Sequence, residues 1–203
     1  MGALVRAPLR EQIRQMLLDG LISGRWQPGD RIVERRVAAE LEVSQAPVRE
    51  ALRDLEALRI VESSPNKGAR VREITEADLR EVYEVRAGLE ETAARLALGR
   101  VPIDALERHV ARLHEAARHG DAFAQVPHLI AFHREIVRAS GNEILLSVWE
   151  SLGFEVWTHL SIRLFRATPH ENADDHEPIV EAFRRQDPGI GLLIRDHVLS
   201  YTR

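Results

Sequence analysis

The sequence predicts a mostly α-helical fold in two parts: three helices and a two-stranded wing over residues 1–72, then an antiparallel bundle of about six helices over residues 75–203. Three observations carry this expectation. Helix-period apolar spacing gives way to two short β-like runs before residue 72 and resumes after Thr75. From there it is interrupted only by Pro and Gly, at Pro102, Gly120, Gly141-Asn142, Pro169 and Pro188-Gly189. Charge divides at the same place. Residues 1–72 hold 13 Lys and Arg against 10 Asp and Glu, a net +3, and the remainder holds 15 against 22, a net −7.

The first helix is expected over Leu9–Ile22, where Leu9, Ile13, Met16, Leu17 and Leu21 fall on one face. Gly24 suits its C-cap, and Trp26 to Asp30 reads as a turn. A second, short helix runs from Glu34 to Leu41. Ser44 is placed to cap the third, its hydroxyl able to accept a first-turn amide. Pro47 then falls where a missing N–H costs nothing. Val48, Ala51, Leu52, Leu55 and Leu58 share the inward face, with Arg49 and Arg53 off it. Ile60–Glu62 and Ala69–Arg72 read as strands joined by the turn Pro65-Asn66-Lys67-Gly68. Further on, Thr75 and Asp78 have capping-box spacing. The remaining helices are expected over residues 75–99, 103–119, 121–139, 142–166, 171–186 and 189–202.

Composition narrows the functional classes. The chain has 203 residues, 44% hydrophobic and 30% charged, which is globular. It has no cysteine, so disulfide scaffolds, cysteine zinc fingers and thiol catalysis are excluded, and a bound metal needs His, Asp or Glu. No apolar run approaches the roughly 18–20 residues of a membrane span. The first ten residues lack a signal-peptide core. A cytoplasmic protein is expected. Only the basic first third is drawn to phosphate; the acidic remainder is repelled.

Those N-terminal elements make a winged helix-turn-helix. A helix of this kind fits the major groove of double-stranded DNA with its N-terminal residues at the base edges. Arg49 can reach a phosphate or a guanine edge, and the small, basic wing tip at Lys67-Gly68 allows close backbone approach. The same pattern also serves protein-interaction modules. The residues Gly24, Pro28-Gly29-Asp30-Arg31-Ile32, Glu34, Val37-Ala38 and Val43 through Leu52, continued by Leu55, Val61-Glu62 and Pro65 through Val71, resemble the GntR family signature. The resemblance implies that Arg35, Ser44, Gln45, Ala46, Pro47, Arg49 and Gly68 face DNA. Three positions depart from the family pattern. Gln45 stands where Arg is usual and suits adenine better than guanine. Ala46 replaces Thr. Arg59 replaces the Gly that follows the recognition helix, where a positive φ would strain it.

In the second part, His133, His176 and His197 each lie among apolar residues on a separate predicted helix. Three inward imidazoles can converge on a divalent metal, or each can be an ordinary core histidine. Arg86 falls on the stripe Leu79, Val82, Leu89, Ala93 and Leu96; buried there, it needs an anion, from Glu90 or from a ligand. His109, His114, His119 and His170 read as surface residues. Trp149, Phe154, Trp157 and Phe165 share one long predicted helix. Phe132-His133, Ala139 to Asn142, His176 to Ala182, Asp196-His197 and the Arg86 segment resemble the FCD-type C-terminal domain of GntR regulators, of the FadR-like subfamily and its six-helix VanR-like group. That resemblance implies His133, His176 and His197 as ligands of a zinc or nickel ion. It implies Arg86 as anchor for a small carboxylate effector, and a homodimer on a palindromic operator, acting as a repressor. Leu129 occupies the position of the family's aspartate ligand. Metal binding should fade below about pH 6, where free imidazoles protonate. A metal-dependent hydrolase and a non-sensing architectural DNA binder are the competing readings.

Overall fold

The structure is a computed structural model that describes residues 9–64, 68–165 and 168–202. The chain divides into two compact units between Ile74 and Thr75.

In the first unit α1 (Leu9–Ile22) is followed by β1 (Arg31–Ile32), α2 (Glu34–Glu40), α3 (Gln45–Ala57), β2 (Val61–Ser64) and β3 (Gly68–Val71). Helices α1 and α2 both pack on α3. Ile13, Leu17, Val37, Val48, Leu52 and Leu55 form the core between them. Leu9, expected inward, is 48% exposed at the first residue of its helix.

The wing holds three strands rather than two. The short β1 joins the expected hairpin, giving an antiparallel sheet in the order β1-β3-β2, with Ile32 opposite Ala69 and Val61 opposite Val71. Lys67 and the rest of the turn before Gly68 lie outside the described residues. Gly68 has φ of +76°, and a Cβ there would stand 2.5 Å from the Ile32 carbonyl oxygen.

In the second unit α4 (Glu76–Ala97), α5 (Ile103–Arg118), α6 (Ala122–Ala139) and α11 (Ile190–Ser200) match expected helices. Thr75 and Asp78 close both halves of the capping box on α4. Two expected helices are each broken. The 142–166 span is α7 (Glu143–Ser151) and α8 (Phe154–Phe165), separated at Gly153, whose φ is +61°. Trp149 therefore does not share a helix with Phe154 and Trp157. The 171–186 span is α9 (Pro169–Asp174) and α10 (Glu177–Arg184). Pro178 lies in the first turn of α10, where its missing N–H is harmless, and it disfavours an unbroken helix through residue 176. Helix α4 packs against α6, α7, α8 and α11, and α5 against α6, α9 and α10.

Gly68 yields a test of the first unit. Gly68→Ala places a methyl group against main chain and demands a left-handed conformation that alanine resists. We expect a loss of about 1–3 kcal/mol in the N-terminal unit. Denaturant unfolding of the variant and the parent measures it, and an unchanged midpoint would contradict the packing described.

Candidate functional site

The recognition segment is assembled on α3. Arg35, Ser44, Gln45, Ala46 and Arg49 are solvent-exposed, and Pro47 is half-buried. Ser44 stands at the N-cap of α3 in extended conformation, but its hydroxyl makes no capping hydrogen bond. The physical reason is in the sequence. The third residue of the helix, whose amide a capping hydroxyl favours, is Pro47, which has none. The expected cap is thus absent, and the hydroxyl has no capping role to leave when it meets another partner. Arg49 is engaged: its Nε donates to Glu34 Oε2 at 2.9 Å, tying α3 to α2. Glu34 raises the Arg49 pKa, through the hydrogen bond and then through its charge. Arg59 has φ of +58°, the left-handed conformation expected where glycine is usual. Gly68 has an internal reason to be glycine, its contact with Ile32, apart from any approach to DNA.

The second cluster is in the helical unit. His133 from α6, His197 from α11 and His176 at the N-cap of α10 converge, each offering a nitrogen within 4.8 Å of the other two. All three are buried, and their ring centroids are separated by 4.5 to 5.5 Å. Phe132 edges against His133 and His176, and Tyr201 against His197. His176 Nδ1 lies 2.7 Å from the Asn172 carbonyl oxygen, which can only accept, so Nδ1 carries the proton and Nε2 a free lone pair. Nε2 of His176 and Nε2 of His197 are both buried without a hydrogen-bond partner. Burial lowers all three histidines, His176 to about 3, and mutual repulsion with His133 adds to the effect on His176 and His197. Neutral imidazoles with unpartnered nitrogens are what a divalent metal requires. The donor set therefore fits zinc or nickel.

Arg86 is buried beside this cluster, 3% exposed, together with Glu90 at 1%. Its Nε donates to Glu90 Oε1 at 2.8 Å and its Nη1 to Thr158 Oγ1 at 3.2 Å; the Tyr83 and Phe154 rings flank it. Of the two partners anticipated for a buried Arg86, Glu90 is present. The inward stripe of α4 differs from the expected one. Tyr83, Arg86, Ala87, Glu90, Ala94 and Ala97 are buried with Leu79 and Ala93, whereas Leu96 is 44% exposed.

Glu90 was foreseen as a partner of Arg86, but its reach to Trp149 and His133 was not. Its Oε1 also accepts from Trp149 Nε1 at 2.8 Å, and its Oε2 lies 2.6 Å from His133 Nδ1, at an angle that leaves neither of those two atoms a well-formed hydrogen bond. Burial opposes its charge, but Arg86 and His133 outweigh burial and hold the carboxyl at about 2. The one available signal was its position one turn from Arg86. Leu129 is buried on α6, one turn before His133, in keeping with its place in the sequence. His114 and His109 are half-buried and His119 is exposed.

Known proteins share both units. A family model described as "Bacterial regulatory proteins, gntR family" matches residues 9–71, and one described as "FCD domain" matches residues 81–198. The chain is 36% identical over 201 residues to the "Probable D-xylose utilization operon transcriptional repressor" of Paenarthrobacter nicotinovorans, covering 98% of this chain and 89% of that protein. It is 30% identical over 186 residues to the "Gluconate operon transcriptional repressor" of Bacillus licheniformis, covering 87% of this chain and 74% of that one. The solved structure of E. coli McbR/YncC has the same fold, with a TM-score of 0.73 at 24% identity, over 97% of this chain and 94% of that one. The chain joins a gntR-type helix-turn-helix to an FCD domain and belongs to the gntR family of bacterial regulatory proteins.

Proposed function

We propose that the protein is a homodimeric transcriptional repressor whose affinity for a palindromic operator is controlled by a small organic acid bound beside a divalent metal in the helical unit. The observation that carries the sensing half is the convergence of three buried, neutral imidazoles with unpartnered nitrogens. Relatives named as repressors of a D-xylose utilization operon and a gluconate operon support repression, and an effector drawn from sugars or sugar acids. His133, His176 and His197 would hold the metal, and the buried Arg86 would steer an anionic effector toward it. The metal supplies a Lewis-acidic centre that binds a carboxylate. A regulator that must reach DNA works in the cytoplasm, and among the described residues no helix is long and apolar enough to cross a membrane. A hydrolase is set aside because the relatives are regulators. The exposed Val85 and Leu96 on α4 and Leu192 on α11 support pairing of two copies through the helical unit. A dimer also supplies the two half-sites that one short recognition helix needs.

On the DNA side, Arg35, Ser44, Gln45, Ala46, Pro47, Arg49 and Gly68 form the reading surface, with Lys67 assigned to the wing tip from sequence alone. Arg49→Ala should weaken operator binding by about 1–3 kcal/mol if the side chain reads a base edge. If it holds only phosphate, the loss is uniform across sequences and the salt slope falls by about one. Fluorescence anisotropy with a genuine operator fragment decides, and unchanged affinity would remove Arg49 from the interface.

On the sensing side, metal analysis of the purified protein should find close to one divalent ion per chain. Each single His→Ala at 133, 176 or 197 should lower metal content and effector response together, while effector-free operator binding survives. A triple-His variant that still answers its effector would overturn the reading.

Acid sensitivity follows from burial. The three histidines stay neutral in the fold but take up protons once unfolded. Their contribution to stability is complete above about 6.5, the ordinary value, and is lost as the pH falls below it. Glu90, held at about 2 instead of 4.5, adds a second loss as the pH drops through that lower interval. Unfolding free energies of the metal-free protein, from denaturant titrations, should fall between pH 7 and 5, with His176 alone contributing roughly 1 kcal/mol per pH unit and His133 and His197 adding in the same direction. A flat profile over that range would show that the imidazoles are not buried neutral.

A further inference from the structure

Position 129 carries a leucine where a carboxylate would ordinarily complete a three-histidine site, so the metal reading proposed above leaves a gap in charge. Glu90 lies beside that gap. It comes from α4, a different helix from Leu129, and among the described residues the ligand-atom cluster contains the three histidines and no carboxylate. Glu90 is therefore not itself a ligand in this arrangement. Its Oε2 is nevertheless 2.6 Å from His133 Nδ1, both groups are 1% exposed, and neither atom has another hydrogen-bond partner. The opposite oxygen is fixed by two donors, Arg86 Nε and Trp149 Nε1, each at 2.8 Å. The carboxylate is thus clamped on one side and aimed at the imidazole on the other.

We infer that Glu90 is the positioning carboxylate of the metal site: it accepts the proton on His133 Nδ1, which fixes the ring and leaves Nε2 as the metal-binding nitrogen, and it supplies from the outer shell the negative charge that Leu129 does not. A carboxylate–histidine–metal chain raises the basicity of the imidazole and locks its tautomer. The small rotation needed to close the hydrogen bond is within either side chain's reach, since both ends lack a competitor. His176 is held in the same way by a different group, the Asn172 carbonyl at 2.7 Å. Two of the three ligands then have outer partners that select Nε2. The same carboxylate binds Arg86, so the metal site and the guanidinium proposed to receive the effector share one anion. This inference rests on the metal reading and adds a residue to it.

The test uses the full chain stripped of metal and titrated with zinc against a chromophoric chelator. Glu90→Gln keeps the shape and one acceptor for Arg86 and Trp149 but removes the charge. It should bind zinc 10- to 100-fold more weakly than the parent. Leu129→Asp made in both backgrounds supplies a carboxylate directly, so the fold loss in zinc affinity caused by Glu90→Gln should shrink in the Leu129→Asp protein; a merely structural role for Glu90 predicts the same fold loss in both. The wild-type protein gives a second readout that needs no variant to fold. Long-range ¹H–¹⁵N spectra of the zinc-loaded chain should show His133 protonated at Nδ1 and metal-bound at Nε2. Zinc affinity of Glu90→Gln within twofold of the parent, or His133 bound through Nδ1, would overturn the role of Glu90 while leaving the metal site standing. A parent chain that shows no zinc binding in the same titration would overturn the metal reading, and this inference with it.

Discussion

The interior of the helical unit is organised by the need of one buried guanidinium for an anion. Arg86 is almost wholly removed from water, and an uncompensated charge there would cost several kcal/mol. Glu90 meets the need from the next turn of the same helix, so the pair forms wherever α4 forms. One carboxylate has more acceptor capacity than one guanidinium nitrogen can use. The surplus draws Trp149 from α7 to the same oxygen and His133 from α6 to the other. A local solution on one helix thus becomes a constraint on the register of three. The histidine cluster inherits its position from this arrangement, because His133 is the member that both the carboxylate and the other imidazoles approach.

The reading head follows a different logic, built on omissions. Pro47 withholds the amide that Ser44 would cap, and the helix accepts the loss because its first turn has no intrahelical use for that N–H. Arg59 adopts a conformation that glycine would take without strain, immediately after α3, where its amide bonds back to Glu56 and its carbonyl accepts from Arg72. Arg49 is restrained across the two helices of the motif by Glu34. At the exit of α3 the left-handed Arg59 caps the helix through its own amide, whereas at the entry Ser44 caps nothing and Arg49 is held by its neighbour helix.

Much of this was legible in the sequence, and what was not has physical causes. The first unit could be read almost element by element, because turn residues such as Gly24 and Gly29 act over a few residues, as does the Thr75–Asp78 box that opens the second. The three histidines could be picked out because each lay among apolar neighbours at helical spacing. The break at Gly153 was hidden because Phe154 and Trp157 resume a helical period after a single left-handed residue. The break before Pro178 was readable in principle, since a proline eight residues into a helix favours a break or kink there, although α6 carries Pro127 unbroken. The third strand was invisible because two residues carry no alternation. The inward place of Arg86 was legible, but the face of α4 was drawn too far toward Leu89 and Leu96, because the stripe followed the large aliphatic residues, whereas the buried face runs through Tyr83, Ala87, Glu90, Ala94 and Ala97 and leaves Leu96 to solvent. The approach of Glu90 to His133 joins two helices and leaves no trace in the spacing of either.

Gly68 carries a consequence for how sequences in this family can vary. The position sits at the start of β3, where a β-carbon would stand 2.5 Å from the Ile32 carbonyl oxygen, in a conformation that side chains resist. Every mutational step away from glycine there is opposed by the wing's own backbone before DNA is involved. Invariance at such a site measures folding and carries no information about which bases are read. The record of operator choice, as lineages diverge, must instead be written at positions that the fold leaves unconstrained, and the exposed Gln45 and Ala46 on the first turn of α3 are of that kind.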